Sequence, residues 1–279
     1  MTAAGVGTAF VLGGGGVLGA AEVGQLRALV EAGIQPDLIL GTSVGALNGA
    51  VAAAHPGPDL VDRLVGLWES AAAGKEVYGD GAVRQVRRAV RTGGTRLYSS
   101  APLRRRLTEE LGDLTFEDLA IPFQCCASSI ERAAEHWFTS GPLVDAVVAS
   151  AAVPGLLGPA KVGDEHYLDG GIVNSIPLGR AVTCGARRVF VLHVGRIERP
   201  LTPPRRPWEV ARVSFEIARR HRFHRELAEL PDGVVAHVLP TGGGSPKDDS
   251  LLAYRSFGAV RSRIDTAYAA ARDYLEEHL

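Results

Sequence analysis

Short apolar runs that end in glycine alternate with amphipathic segments in the first part of the chain. The run at 8–12 leads into four consecutive glycines, as a buried strand leads into a turn. Apolar residues then recur at helical spacing until Gly33, which is typical of the end of a helix. A second apolar run at 38–40 breaks at 41–43, and a further helical pattern covers 44–54. Two strand–helix units in succession predict a parallel sheet with helices on both faces.

The rest of the chain continues this alternation after an interruption. We predict strands at 123–129, 136–138, 166–168, 188–194 and 234–239. We predict helices at 60–70, 82–91, 142–150, 177–184, 210–230 and 251–277. Between 91 and 120 the pattern indicates polar turns and a run of basic and then acidic residues. The fold class we expect is α/β, with three layers and a mainly parallel central sheet between helices. One domain would cover residues 1–279, with a variable helical cap at about 55–120.

Composition narrows the class of protein. Hydrophobic residues make up 46% of the chain and the formal net charge is −1, which indicates a large core and argues against nucleic-acid binding. Residues 1–21 carry no charge, but seven of them are glycine and no basic residue precedes the apolar part, so they predict neither a membrane span nor a signal peptide. Cys125, Cys126 and Cys184 suit neither a disulfide framework nor a zinc site. We therefore expect a soluble, cytoplasmic protein.

The segment Gly41-Thr42-Ser43-Val44-Gly45 fits G-x-S-x-G and lies between a predicted strand and a predicted helix. A strand that turns abruptly into a helix exposes the central hydroxyl in strained backbone geometry. The start of the following helix favours developing negative charge. This context predicts that Ser43 is a nucleophile, and the alternative is a tight turn with an incidental serine.

The glycine-rich run at 13–19 contains G-x-G-x-x-G, for which several interpretations compete. A dinucleotide site needs an acidic residue at the end of the second strand, whereas Asp37 precedes that strand. A phosphate-binding loop needs Gly-Lys followed by Ser or Thr, which 18–20 does not supply. A third interpretation is a row of backbone N–H groups, which beside a nucleophilic serine forms an oxyanion hole. A purely steric glycine turn remains a fourth.

A nucleophilic serine needs a base. His193 and His237 are the downstream histidines most like those of a triad, but neither follows an obvious strand end, so we expect core or edge histidines there. Asp169 ends a predicted strand and is followed by Gly170 and Gly171. An aspartate within hydrogen-bond reach of the hydroxyl can serve directly as the base, although Asp-Gly-Gly is also an ordinary turn.

Taken in order, these motifs resemble the patatin-like phospholipase family of lipid acyl hydrolases. Segment 149–155 is similar to the family's A-S-x-x-x-P-G block, and segment 169–177 to its D-G-G-x-x-x-N-x-P block. The similarity covers about residues 8–55 and 123–195. The resemblance implies a dyad of Ser43 and Asp169 without histidine, and neither a metal nor an organic cofactor. It implies oxyanion donors at Gly14, Gly15 and Gly16, and motif glycines at Gly19, Gly41, Gly45, Gly170 and Gly171.

The function we expect is hydrolysis of carboxylic esters in phospholipids or related acyl lipids through an acyl-enzyme. Two alternatives stay open: acyl transfer by the same dyad, and a regulatory lipid-binding protein with little turnover. Many family members carry Arg or Lys at the position of Leu18. This chain therefore lacks a cation that those members have near the predicted active site.

Basic residues also cluster outside the motifs. The predicted helix at 82–91 carries four arginines on one face, and Arg104, Arg105 and Arg106 follow. They predict either a solvated face or transient contact with an anionic membrane surface. The four arginines of the helix face are Arg84, Arg87, Arg88 and Arg91. The sequence predicts no oligomeric state.

Overall fold

The computed structural model describes residues 6–73, 98–195, 197, 200–243 and 260–279. Its strands are β1 (Thr8–Leu12), β2 (Leu38–Thr42), β3 (Phe123–Ser129), β4 (Ala134–Phe138), β5 (Ala160–Val162), β6 (Glu165–Asp169), β7 (Arg188–Leu192) and β8 (Val235–Val238). Its α-helices are α1 (Ala20–Glu31), α2 (Val44–Ala54), α3 (Leu60–Ala73), α4 (Ala101–Leu111), α5 (Leu143–Ser150), α6 (Leu178–Thr183), α7 (Pro207–Ala228) and α8 (Val260–His278). Short 3₁₀ helices cover Gly16–Gly19, Phe116–Asp118 and Gly170–Ile172.

The eight strands form one sheet with a parallel centre and an antiparallel edge. Strands β3, β2, β1, β7 and β8 are neighbours in that order and run parallel. Beyond them, β4 and β6 pair antiparallel with β3, and β5 pairs antiparallel with β6. The predicted mainly parallel sheet is confirmed, with an antiparallel edge that the apolar pattern did not indicate.

Alternate residues of the central strands face two separate cores. Phe10 and Leu12 of β1 pack with apolar side chains of α1, α2 and α8 on one face of the sheet. Ala9 and Val11 pack on the other face with α6 and with Phe223 of α7. Helices thus cover both faces, and the expected three-layer α/β architecture is confirmed.

Several predicted elements have the bounds that the pattern indicated. β3 and α2 begin and end at the predicted residues, and α1 ends just before Gly33, which has a φ of +69°. Eight further elements differ from prediction by one to three residues at an end: β4, β6, β7, β8, α3, α5, α6 and α7.

Two parts of the prediction change. The turns expected between 91 and 120 are wrong over 101–111, where α4 forms: Pro102 is accepted in its first turn, and Leu107 and Leu111 are buried one turn apart. Strand β5 was not predicted at all. The predicted helix at 82–91, with its arginine face, lies outside the described residues, as does the first part of the predicted closing helix.

Candidate active site

Ser43 lies at the abrupt turn between β2 and α2, in a backbone conformation that few side chains adopt. Its φ is 58° and its ψ is −121°. The turn is possible because its two flanking glycines touch: a Cβ on Gly41 would lie 2.5 Å from the carbonyl oxygen of Gly45. A Cβ on Gly45 would lie 2.3 Å from the carbonyl oxygen of Leu12 at the end of β1. Both glycines of the motif are therefore required by close packing around Ser43.

A second serine, Ser150, holds this turn in place through hydrogen bonds. The backbone N–H of Ser43 donates to Oγ of Ser150 (2.9 Å), and that hydroxyl donates to the carbonyl oxygen of Cys126 (2.6 Å). Ser150 thereby connects the end of α5 to β3 and fixes the strained residue. We assigned it no role from the sequence, although it belongs to the A-S-x-x-x-P-G block.

The register of the sheet brings the carboxylate to the serine. β2 pairs with the first half of β3, and its last residue, Thr42, lies opposite Cys126. β6 pairs with the second half of the same edge, and its last residue, Asp169, lies opposite Ala127. β4 occupies the other edge of β3 over both halves. β2 and β6 therefore run toward each other along one edge of β3, and their last residues lie opposite adjacent residues of β3.

Asp169 is buried and accepts two short hydrogen bonds. Its Oδ2 accepts from the hydroxyl of Ser43 at 2.6 Å, and its Oδ1 accepts from the amide of Gly171 at 2.7 Å. Burial raises the pKa of Asp169 from 3.8 to about 6, against the opposing effects of these two donors and the positive charge of Arg219. The raised pKa makes the carboxyl a stronger base than an ordinary aspartate.

The glycine loop passes directly beside the serine. A Cβ on Gly14 would lie 3.3 Å from Cβ of Ser43, and Gly16 lines the same cavity as Ser43. The amide of Gly14 already donates to the carbonyl of Ser175 (2.8 Å), which corrects the expectation of three available donors. Within the described part of the chain, the amides of Gly15 and Gly16 donate no hydrogen bond. These two are the N–H groups that an oxyanion can use.

The remaining motif glycines are contact points between elements. A Cβ on Gly19 would meet the side chain of Val44 at 2.5 Å, which joins the glycine loop to α2. A Cβ on Gly170 would lie 2.2 Å from the carbonyl oxygen of Cys126, which holds the chain after Asp169 against β3. Gly171 supplies the amide described above.

The continuation of the Asp-Gly-Gly segment also anchors the site. The carbonyl of Asn174 accepts from the hydroxyl of Thr42 (2.9 Å), and the carbonyl of Ser175 accepts from Gly14. One loop therefore contacts both the residue before the serine and the start of the glycine loop. Both positions lie within segment 169–177, which is similar to the family's D-G-G-x-x-x-N-x-P block, and the sequence alone indicates no role for either.

An apolar cavity of about 130 Å³ opens beside Ser43. The cavity lies between α2, α3, α4 and the loop at 151–157. Two charged residues of α4, Arg106 and Glu110, also line it. Its lining of aliphatic side chains and one aromatic ring suits an apolar group. Apolar residues that line it include Val44, Leu47, Trp68, Leu103, Leu107 and Leu157.

The two candidate triad histidines have other surroundings. His193 follows β7, and its Nδ1 accepts from the amide of Gly195 (2.9 Å). His237 is on β8, three strands from β2, and stacks on Phe190 with 4.9 Å between ring centroids. The single proton of the Ser43 hydroxyl is directed to Asp169.

The basic residues of α4 are engaged with neighbours. Arg104 forms an ion pair with Asp145, and Arg105 with Glu109 at 3.9 Å. Arg106 donates to the hydroxyl and the carbonyl of Ser70, both at 3.2 Å. The helices of the described ranges include none with the length and apolar character that a membrane crossing requires.

Comparison with known proteins adds a family match and several relatives. The model of the family described as patatin-like phospholipase matches residues 10–182. The chain is 33% identical over 190 residues to a patatin-like phospholipase domain-containing protein of Caenorhabditis elegans, which covers 67% of this chain and 14% of that protein.

Two further relatives carry more specific names. Patatin-like phospholipase domain-containing protein 7 of Mus musculus is 32% identical over 197 residues, or 70% of this chain and 14% of that protein. Lysophospholipase nte1 of Emericella nidulans is 31% identical over 189 residues, or 67% of this chain and 12% of that protein. The chain thus spans only about one seventh of the length of these curated relatives.

Proposed function

Since this chain belongs to the patatin-like phospholipase family, we propose that it hydrolyses carboxylic ester bonds of acyl lipids. The observation that carries the proposal is the 2.6 Å hydrogen bond from the Ser43 hydroxyl to Asp169, beside an apolar cavity. The hydroxyl is held in strained geometry and its proton already points to a buried carboxylate, which is the arrangement of an activated nucleophile.

The proposed reaction proceeds in two stages. In the first, Oγ of Ser43 attacks the acyl carbonyl carbon while its proton passes to Oδ2 of Asp169. The amides of Gly15 and Gly16 donate to the resulting oxyanion. The intermediate then collapses, the bond to the alcohol breaks, and Asp169 returns the proton to the leaving oxygen. In the second stage, water repeats these steps on acyl-Ser43 and releases the fatty acid.

The raised pKa of Asp169 supports this role. A base works best when its pKa lies close to the working pH, and a value of about 6 is closer to neutrality than 3.8. The carboxyl still ionises at neutral pH, so it is ready to take the proton. No histidine is needed in this scheme.

The substrate class is proposed from the cavity and from the relatives. The apolar lining beside Ser43 supports an acyl chain as the bound group, and one relative is named a lysophospholipase. We propose that α3 and α4, which line this cavity, act as the cap of a single catalytic domain. The three cysteines are free thiols, which supports a cytoplasmic protein. Any contact with a lipid surface would then be transient.

The proposal is tested with a fluorophosphonate probe and with p-nitrophenyl and lysophospholipid esters. We expect one label, on the peptide that contains Ser43, and hydrolysis of both esters. Ser43→Ala is expected to abolish labelling and to reduce turnover by several orders of magnitude. Ser140→Ala, which removes an exposed serine, serves as the matched control. Labelling that persists in Ser43→Ala would place the nucleophile elsewhere, and acyl transfer to added glycerol in preference to water would favour an acyltransferase.

A further inference from the structure

Arg219 of α7 carries a guanidinium into the interior directly behind the glycine loop. Its side chain is 3% exposed, and one nitrogen donates to the carbonyl oxygen of Gly14 at 3.0 Å. Another nitrogen donates to Glu216 at 3.1 Å on the same helix. Arg219 lies outside the segment that matches the family model. Nothing in the proposed reaction uses it directly.

The carbonyl that Arg219 contacts belongs to the same peptide group as the amide of Gly15. The described peptide bonds are all trans, so this C=O and this N–H point in opposite directions. A donor that holds the carbonyl from behind therefore fixes the direction of the Gly15 N–H. The other side of Gly14 is held as well, since its own amide donates to Ser175.

The charge of the guanidinium adds to this geometric effect. A cation at the carbonyl end polarises the peptide group, and a polarised peptide is a stronger donor at its N–H end. The next part of the loop brings no charge of its own, because Leu18 is apolar and only 2% exposed. Glu216 partly balances Arg219, but it lies on the same helix and also pairs with Arg220 at 3.5 Å.

We propose that Arg219 is a positioning residue that orients and polarises the Gly14–Gly15 peptide for oxyanion binding. This inference rests on the proposed function. It predicts that Arg219 contributes little to binding of the substrate and more to binding of the tetrahedral state. A residue that only attaches α7 to the core would have no such selectivity.

The test compares two inhibitors that differ in whether they form an oxyanion. Octyl trifluoromethyl ketone adds Oγ of Ser43 to its carbonyl, with the proton passing to Asp169, and so creates an oxyanion. Octyl methyl ketone fills the same cavity without stable addition. We expect Arg219→Met combined with Glu216→Gln to weaken the trifluoromethyl ketone at least ~10-fold. The upper limit of this effect is the ~10²–10³-fold loss that follows removal of a whole oxyanion-hole donor. The glutamine leaves no buried carboxylate without Arg219 and keeps an acceptor oxygen for Arg220, which also pairs with Glu216. Affinity for the methyl ketone should change less than ~3-fold.

Two further variants control for folding. Glu216→Gln alone retains Arg219 and should keep wild-type selectivity between the two ketones. Arg222→Met removes a guanidinium of the same helix that also donates to a backbone carbonyl, that of Val173 at 2.6 Å. It controls for the docking of α7 and should affect both ketones alike. If the double variant fails to fold, Arg219→Lys is used instead. It keeps the cation but loses the fixed fork that holds the Gly14 carbonyl, so we expect a smaller but still selective loss of affinity for the trifluoromethyl ketone.

The outcomes separate this inference from the proposed function. Equal affinity changes for the two ketones in the Arg219 variants would overturn the positioning role. Selective loss of the trifluoromethyl ketone would support it. If the wild-type protein neither binds the trifluoromethyl ketone more tightly than the methyl ketone nor hydrolyses esters, the proposed function itself has failed.

Discussion

Two of the buried carboxyl groups differ in their surroundings, one at the candidate site and one on α1. Asp169 is 5% exposed and Glu22 of α1 is completely buried. Burial raises the pKa of both, to about 6 for Asp169 and well above its usual range for Glu22. Desolvation alone therefore does not distinguish a base from a structural acid.

The difference lies in what donates to each carboxyl group. Asp169 accepts hydrogen bonds from the Ser43 hydroxyl, which can give up its proton, and from the Gly171 amide. The positive charge of Arg219 also acts on it. Glu22 accepts from the side-chain amide of Asn48 at 2.8 Å and from the backbone amide of Gly13, two donors that do not transfer their protons. Asn48 in turn accepts from Trp68 of α3 at 3.1 Å. Glu22 thus links α1, α2 and α3 through donors that keep their protons, whereas Asp169 is placed to exchange a proton.

The strongest way to break this comparison is to neutralise each group with its amide. Asp169→Asn keeps the shape and removes the base, so we expect ester hydrolysis to fall at least ~10²-fold. Glu22→Gln keeps the shape of the side chain and an acceptor oxygen for Asn48, and we expect activity within ~3-fold of wild type. Steady-state kcat and KM of both variants provide the measurement. Similar losses in the two would mean that Glu22 also takes part in the reaction.

Stability should change in the opposite direction at Asp169. Its folded pKa is above the unfolded value, so the folded protein holds this proton more tightly, and ionisation destabilises the fold as pH rises through about 6. A difference of about two pKa units corresponds to on the order of 3 kcal/mol. We expect Asp169→Asn to be more stable than wild type by up to this amount at mildly alkaline pH. The gain should shrink as pH falls from about 6 toward ~4.

Urea unfolding of both proteins across this pH range measures the effect. A gain that grows toward acidic pH, or an Asp169→Asn protein that is less stable at every pH, would contradict the raised pKa.

A smaller effect is expected at Ser150, which supports the serine rather than the base. Ser150→Ala leaves the Ser43 amide and the Cys126 carbonyl without their common partner. We expect a loss of about 1–3 kcal/mol in the free energy of unfolding from the unsatisfied groups. We expect kcat to fall about 10-fold with little change in KM, because the strained turn is less well fixed. Unchanged kcat in a destabilised protein would limit Ser150 to a role in folding.

The sequence predicts the parallel half of the molecule better than its edge. β1, β2 and β3 are short apolar runs, and glycines mark where the first two end, so their existence and type follow from local pattern. β5 has three residues of intermediate or high exposure, and its pairing with β6 depends on distant chain. α4 was missed because its charges suggested turns, although its buried leucines recur at helical spacing.

The site shows the same division. Ser43 and Asp169 could be proposed from local motifs because each lies at the end of a strand, Ser43 between two glycines and Asp169 before two glycines. The contacts of Ser150, Ser175 and Arg219 could not, since they join residues more than 100 positions apart in the chain. Nor could the raised pKa of Asp169, which depends on how completely the surrounding chain excludes water.

The most direct test of the Ser43–Asp169 assignment is to measure how fast acyl-Ser43 forms from p-nitrophenyl octanoate. The reaction is stopped by rapid acid quench, and the acylated peptide is identified by mass mapping. Wild type, Asp169→Asn, His193→Gln and His237→Gln are compared, with circular dichroism to verify folding. We predict an octanoyl group on the peptide that contains Ser43. Its rate of formation should be similar in wild type and in both histidine variants, and at least ~10²-fold slower in Asp169→Asn. An adduct on another residue, or a folded histidine variant that fails to form it while Asp169→Asn does, would contradict the assignment.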